Sequence, residues 1–165
     1  MRTIKRRRKE NKTDYGKRIK LLKSDKPRII FRKTNKYLIL QYVLSENAKD
    51  KIQIGLNSKH LLKYGWPEEF NGRLKSIPAS YLLGYLMGKK IIKEKLAEPI
   101  LDFGMIQALH KTKVFGFLKG LIDSGLEIKH KKDIFPSEES IQGKNLKTDF
   151  SKEFQAIKKK IEESK

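Results

Sequence analysis

The chain has 165 residues, 38% of them hydrophobic, which is enough for one ordinary core and predicts one domain rather than two. It contains no cysteine, which excludes disulfides and thiolate metal sites and fits a reducing compartment. Its formal charge is +20, and sixteen Lys or Arg against three acids (Glu10, Asp14 and Asp25) place +13 of that surplus in the first 36 residues. A segment this cationic repels itself and buries no core, so it calls for a polyanionic partner, nucleic acid first. No apolar run approaches the roughly 18 to 20 residues that span a bilayer, and Met1 to Arg6 lacks the apolar stretch of a secretory leader. A soluble, intracellular protein is expected.

In chain order, Met1 to Lys12 is almost wholly charged and polar, which predicts an arm that is disordered or extended until bound. A short helix follows from Thr13. Thr13 or Asp14 can cap it, Tyr15, Ile19 and Leu22 fall at helical spacing, and Pro27 ends it. Three strands come next. Arg28 to Lys33 alternates loosely, Tyr37 to Ser45 is aromatic and branched, and Ile52, Ile54 and Leu56 alternate with polar neighbours. Turn residues at Thr34-Asn35 and Glu46-Asn47 make these an antiparallel meander with one face partly wet.

Pro78 marks the first turn of a long helix reaching about Glu98, apolar on most sides and therefore central. Its small residues Ser80, Gly84 and Gly88 are read as tight packing on the sheet rather than a ligand surface. Ile100 to Phe103 is a short buried strand reached by a helical crossover, which requires parallel pairing with a strand before the helix. A second amphipathic helix starts at Lys113 with Thr112 as its cap and closes at Ser124-Gly125, Gly125 taking the left-handed position and Leu126 packing back on Leu121. Beyond Pro136 the chain is polar, with Ser137 as a cap. A last helix carries Phe150, Phe154, Ile157 and Ile161 on one stripe that needs an apolar cover. The resulting fold is α/β: one domain with a mixed sheet, packed helices, a basic N-terminal arm (residues 1–26), a core (27–130) and a helical C-terminal extension (131–165).

The search for catalytic groups is nearly empty. His60, His110 and His130 are isolated from one another, so no metal site is expected, and no glycine-lysine pair has phosphate-loop spacing. No cofactor is implied. Asp102 ends a buried strand, where enzymes place carboxylates, but no second acid or nucleophile accompanies it. A cap or loop anchor is the simpler role. The cationic signal is stronger. Arg6, Arg7, Arg8, Lys9 and Lys12 form a mobile grip, Lys17, Arg18, Lys20 and Lys23 extend it along a helix, and Lys26, Arg28, Arg32, Lys33 and Lys36 carry it onto the first two strands. Tyr15 offers a stacking surface, and Thr13, Thr34 and Asn35 can bond sugar or phosphate oxygens.

Taken together, Arg6-Arg7-Arg8, Lys12-Thr13-Asp14-Tyr15, Lys26-Pro27-Arg28 and Arg32-Lys33-Thr34-Asn35-Lys36 resemble the N-terminal region of ribosomal protein eighteen of the large subunit, in its archaeal form, whose eukaryotic relative is large-subunit protein five. The resemblance runs on through Tyr64-Gly65-Trp66, Pro78 to Gly84, Leu101-Asp102-Phe103-Gly104, Lys113-Val114-Phe115, Asp123 to Ile128 and Gly143-Lys144-Asn145. It implies a structural protein of the cytoplasmic large subunit that binds 5S rRNA and helps fix it to large-subunit rRNA in the central protuberance, next to other ribosomal proteins. It also implies a second contact in the loop from Gly104 to Lys113, where Lys111 and Lys113 lie, and another candidate at Lys144. Neither a small-molecule substrate nor a membrane belongs to this reading. The competing expectations are an RNA-processing or RNA-modifying enzyme centred on Asp102, and a peripheral membrane protein using the arm and the C-terminal stripe.

Overall fold

The computed structural model describes residues 3–47, 49–146 and 149–164. Met1 and Arg2, the start of the expected arm, lie outside the described residues. A four-stranded sheet in the order β3-β2-β1-β4 forms the middle of the molecule. β1 (Arg28–Lys33), β2 (Leu38–Glu46) and β3 (Lys49–Asn57) pair antiparallel, and β4 (Ile100–Asp102) runs parallel to β1 with Arg28 opposite Ile100 and Ile30 opposite Asp102. The crossover between β3 and β4 holds α3 (Ile77–Lys93), as the meander followed by a parallel strand requires. Ahead of the sheet lie α1 (Arg6–Lys9) and α2 (Tyr15–Leu22), and after it come α4 (Lys113–Asp123), α5 (Glu138–Gln142) and α6 (Ser151–Glu163).

One face of the sheet is dry. Ile29, Phe31, Leu38, Leu40, Tyr42, Ile54 and Leu56 point into a core shared with α3 and α4. A β-bulge changes the expected phase of β3. Tyr42 faces Ile54 but Val43 faces Ile52, so Gln53 is the extra residue and the alternation slips by one. Ile54 is therefore buried, whereas Ile52 emerges on the opposite face, 51% exposed.

α3 is held at its start by Ser76, whose hydroxyl accepts from the Ala79 N–H, with Pro78 in the first turn. It stops at Lys93, short of the expected Glu98. Pro99 disfavours helical backbone at Glu98, and the Leu96 N–H turns back to the Ile91 carbonyl. The small-residue stripe of α3 seats α4 rather than the sheet. A Cβ on Gly84 would overlap the Phe117 carbonyl, and one on Gly120 would overlap the Tyr81 carbonyl, so the two helix backbones meet where side chains are missing. Ser80 completes the contact by donating to the Lys113 carbonyl at 2.6 Å.

α4 ends as expected, with Gly125 at φ +109° and the Leu126 N–H returning to the Leu121 carbonyl. Its start differs. The Thr112 hydroxyl donates to the Leu109 carbonyl and makes no cap bond, so it stabilises the preceding loop instead. The apolar stripe of the last helix is covered by the protein itself. Trp66 and Phe70 pack on Phe150 at centroid distances of 4.6 and 5.1 Å, Tyr81 packs on Phe154 at 5.4 Å, and Tyr85 donates to Glu162 at 2.7 Å. That face is buried, so it offers no apolar surface to a bilayer. Among the described residues no helix is long and apolar enough to cross a membrane.

Candidate nucleic-acid interface

The second face of the sheet carries the outward residues of β1 and β2, and the N-terminal segment lies over it. α2 begins at Asp14, whose carboxylate accepts from the Gly16 and Lys17 N–H groups. The Lys17 N–H bond is the largest influence holding the Asp14 carboxyl below the usual carboxylate range. Asp14 is thus the cap, Thr13 being occupied elsewhere. No residue of α2 is buried, and Ile19 of its expected apolar stripe is 56% exposed.

From Arg6 the arm is folded rather than extended. α1 makes one helical turn, the Lys12 and Thr13 N–H groups return to the Arg7 carbonyl, and Arg7 Nε donates to the Thr13 hydroxyl at 3.0 Å. Two acids offset the self-repulsion that an extended arm would relieve. Glu10 bridges Arg6 at 3.2 Å and Lys12 at 2.7 Å, and Asp14 holds Arg8 at 3.3 Å. Arg8 also reaches the Met105 sulfur, joining the arm to the loop after β4.

Arg28, expected among the nucleic-acid contacts, is a core residue. Its side chain is 1% exposed and donates to Asp102 Oδ2 at 3.0 Å, to Asp50 Oδ1 at 2.8 Å and to the Ser45 hydroxyl at 2.9 Å. The first strand position of β1 lies between β2 and β4, so an outward-pointing side chain there is enclosed by both neighbours. Asp102 is likewise committed. Besides Arg28 it accepts from the Gly104 N–H at 2.8 Å, which is the loop-anchoring role; the neighbouring acid Asp50 shares the same Arg28, and among the described residues no group of three or more His, Asp or Glu side chains could hold a metal ion. Asp50 is tied to the arm through Arg18 at 2.9 Å. Burial alone would raise its carboxyl, but the bonds from Arg18 and Ser45 and the Arg28 charge outweigh burial and hold it below the usual range.

Above this ion-pair floor is a cleft of about 220 Å³ in which Arg7, Lys12, Thr13, Lys17, Arg18 and Arg32 converge, with Ile30 and Gln41 from the sheet. Asp14, Asp50 and Asp102 also line it. Arg7, Lys12 and Arg32 continue into a second groove of about 390 Å³, bounded by Lys33, Asn11, Met105 and Ile106. No acid is among the described residues lining that second groove. The guanidinium of Arg32 lies against Gly104, where a Cβ would overlap it and φ is +56°. A glycine there lets the loop backbone and the arginine come together.

The remaining candidates fall around this track. Tyr15 carries Lys5 Nζ 4.6 Å above its ring, so one face already holds a cation. Thr34 closes the β1–β2 turn, accepting from the Tyr37 N–H and donating to the Tyr37 carbonyl, while Asn35 and Lys36 are exposed at the tip. Arg6, Lys9, Lys20 and Lys26 are exposed outside the cleft. Lys111 stands on the loop leading into α4 and Lys113 begins that helix, both lining a cavity with Lys33. Lys144 is exposed at the end of α5, where Gly143 packs over Pro78, and lines neither groove. Two residues went unnoticed in the sequence. Gln41 was legible as a polar outward position of β2, whereas Lys75 is brought beside Lys113 only by the tertiary fold.

A mixed α/β domain whose wet sheet face is roofed by a cationic arm is a device for holding a polyanion. Residues 1–100 match the model of the family described as ribosomal large subunit proteins 60S L5 and 50S L18, and the chain belongs to that family, in its archaeal type. It is 41% identical over 141 residues to the large ribosomal subunit protein uL18 of Korarchaeum cryptofilum, covering 86% of this chain and 70% of that protein. It is 40% identical over 141 residues to the protein of the same name from Methanoregula boonei, covering 86% and 79%.

Proposed function

We propose that this protein is a non-catalytic constituent of the cytoplasmic large ribosomal subunit that binds 5S rRNA and helps attach it to large-subunit rRNA in the central protuberance, beside neighbouring ribosomal proteins. One observation carries the reading: the continuous track through Arg7, Lys12, Arg32 and Lys33, fed by Lys17 and Arg18 and free of acids along its second groove. Folded RNA is recognised through phosphates, 2′-hydroxyls and exposed loop bases, and such a track meets all three with guanidinium forks and mobile ammonium groups. In this reading residues 1–26 are the RNA-binding arm, 27–130 the core that presents the track, and 131–165 an extension that completes the core through α6.

The test is filter retention of a 5S rRNA transcript by the full chain, against an unrelated duplex of equal length, over a salt series. If roughly eight phosphates are neutralised, log affinity falls with log salt at a slope on the order of −5 or steeper, and the 5S transcript is preferred. Equal retention of the two RNAs refutes the assignment to 5S rRNA. A shallow slope refutes the track.

A further inference from the structure

Beyond the acid-free groove, Lys33 and Ile106 lead into a third cavity of about 320 Å³, within the range of small-ligand clefts, roughly 300 to 1,000 Å³. Its lining includes the apolar side chains of Ile77, Ile106 and Val114, with Phe31 only 1% exposed. Leu109 stands on its lip, 61% exposed. Lys33, Lys111 and Lys113 ring the opening, and no carboxylate is among the described residues that line it.

The cations there are uncompensated. Burial lowers the Lys113 ammonium's proton affinity, and the charges of Lys33 and Lys75 lower it further. An exposed leucine over an apolar lining asks for a flat apolar group, while three converging ammonium groups ask for an anion attached to it. Gln107 at the rim supplies a donor and an acceptor for a polar edge. An unstacked nucleotide combines these three properties: an aromatic ring, hydrogen-bonding edges and a phosphate on each side. An acidic peptide offers the charge without the flat ring.

We propose that the cavity between β1, the 103–112 loop and the start of α4 is a receptor for one extruded ribonucleotide, its base against Ile77, Ile106 and Leu109 and its phosphates on Lys33, Lys111 and Lys113. The proposal rests on the RNA-binding reading above, because the cavity is continuous with that track through Lys33 and Ile106. The base is swallowed where the track ends, so a strand following the arm is anchored at its far end by shape as well as charge.

The test is an NMR titration of the ¹⁵N-labelled full chain with the four homotrimeric ribonucleotides, and with a trimer whose central residue is abasic. The amides of residues 106–114 should shift with at least one natural trimer, and the abasic trimer should bind about fivefold or more weakly, the range expected for one stacked base. Equal binding of the abasic trimer overturns the proposal, since phosphate alone then accounts for the site. No shift in the loop with any trimer also overturns it. So does a hexaglutamate peptide that perturbs these amides as strongly as the best trimer. Retention of the 5S transcript on filters, measured on the same preparation, separates failure of the cavity from failure of the RNA-binding reading.

Discussion

Replacing Arg28 by Ala should unfold the protein more readily while leaving the RNA track in place. The guanidinium joins β1 to β4 through Asp102 and to β3 through Asp50, at 3.0 and 2.8 Å, with the Ser45 hydroxyl at 2.9 Å. Asp50 keeps Arg18 and Ser45 after the change, so the loss concentrates on Asp102, whose side chain is only 10% exposed and retains the Gly104 N–H. Breaking a buried pair by removing one partner costs about 3 to 5 kcal/mol. In a chain of 165 residues each kcal/mol lowers the midpoint by about 2 to 4 °C, which gives a fall of about 6 to 20 °C. Arg32 is the control, because it is half-buried beside Gly104 on the open face, and its replacement by Ala should cost less than about 1 kcal/mol. Urea unfolding followed by far-ultraviolet circular dichroism gives both stabilities. Retention of 5S rRNA well below the unfolding transition gives the affinities. The expected pattern is crossed: Arg28→Ala loses stability and keeps its affinity, whereas Arg32→Ala keeps its stability and loses about one unit of salt slope. Equal stability of the two variants, or a loss of affinity in folded Arg28→Ala as large as in Arg32→Ala, would refute the division between floor and track.

Three further outcomes follow from the same geometry. Asp50 has a carboxyl held below its unfolded value of about 3.9, so its contribution is fully present above that pH and is lost as acid titrates the folded group. Urea midpoints should therefore fall below about pH 4, and in Arg18→Ala that fall should be smaller, because the folded and unfolded values of Asp50 then lie closer together; an acid limb as deep as the parent's rejects the role given to Arg18. Gly120→Leu places a side chain against the Tyr81 carbonyl and should destabilise by about 1 to 3 kcal/mol or more, so a thermal midpoint within a degree of the parent would reject the α3–α4 contact. Lys113→Met should stabilise the free protein near neutral pH, because folding disfavours the ammonium, yet weaken RNA retention; the stability gain should vanish as pH rises toward the unfolded lysine value of about 10.4.

Much of this architecture could be read from residue pattern because local chemistry and tertiary packing agree. The meander, the crossover to Ile100–Asp102, Gly125 at the end of α4 and the Phe150–Ile161 stripe all follow from turns, periodicity and length. The misreadings have tertiary causes. Ile52 appeared in phase with Ile54 and Leu56, but one bulge residue opposite β2 reverses its face. Ser80, Gly84 and Gly88 marked a close approach without naming its partner, since a stripe of small residues fits a helix as well as a sheet. Arg28 looked like its basic neighbours, and only the side-by-side placement of Asp50 and Asp102, 22 and 74 residues away, turns it inward. Charge density located the arm, yet three nearby acids fold it before any partner arrives.

Glu10, Asp14 and Asp50 lie in or beside the cleft proposed to take RNA, and their geometry explains them. Glu10 and Asp14 each hold arm cations to their own segment, and Asp50 holds α2 to the sheet through Arg18, so each carboxylate is spent on shaping the surface rather than left facing a phosphate. An arm without them would begin extended, and binding would have to order about a dozen residues at roughly 1 to 2 kcal/mol of backbone entropy each. Folded as it is, the arm presents Arg7 and Lys12 beside Arg32 of β1, and much of that entropy is lost during folding, where burial and hydrogen bonding offset it. Beyond Arg32 the acids end and the lysines begin, along the groove that leads toward Lys33 and Lys113. If RNA follows the proposed track, the gradient from neutralised cleft to uncompensated rim would give the bound strand a direction, strongest at the end where the proposed cavity lies.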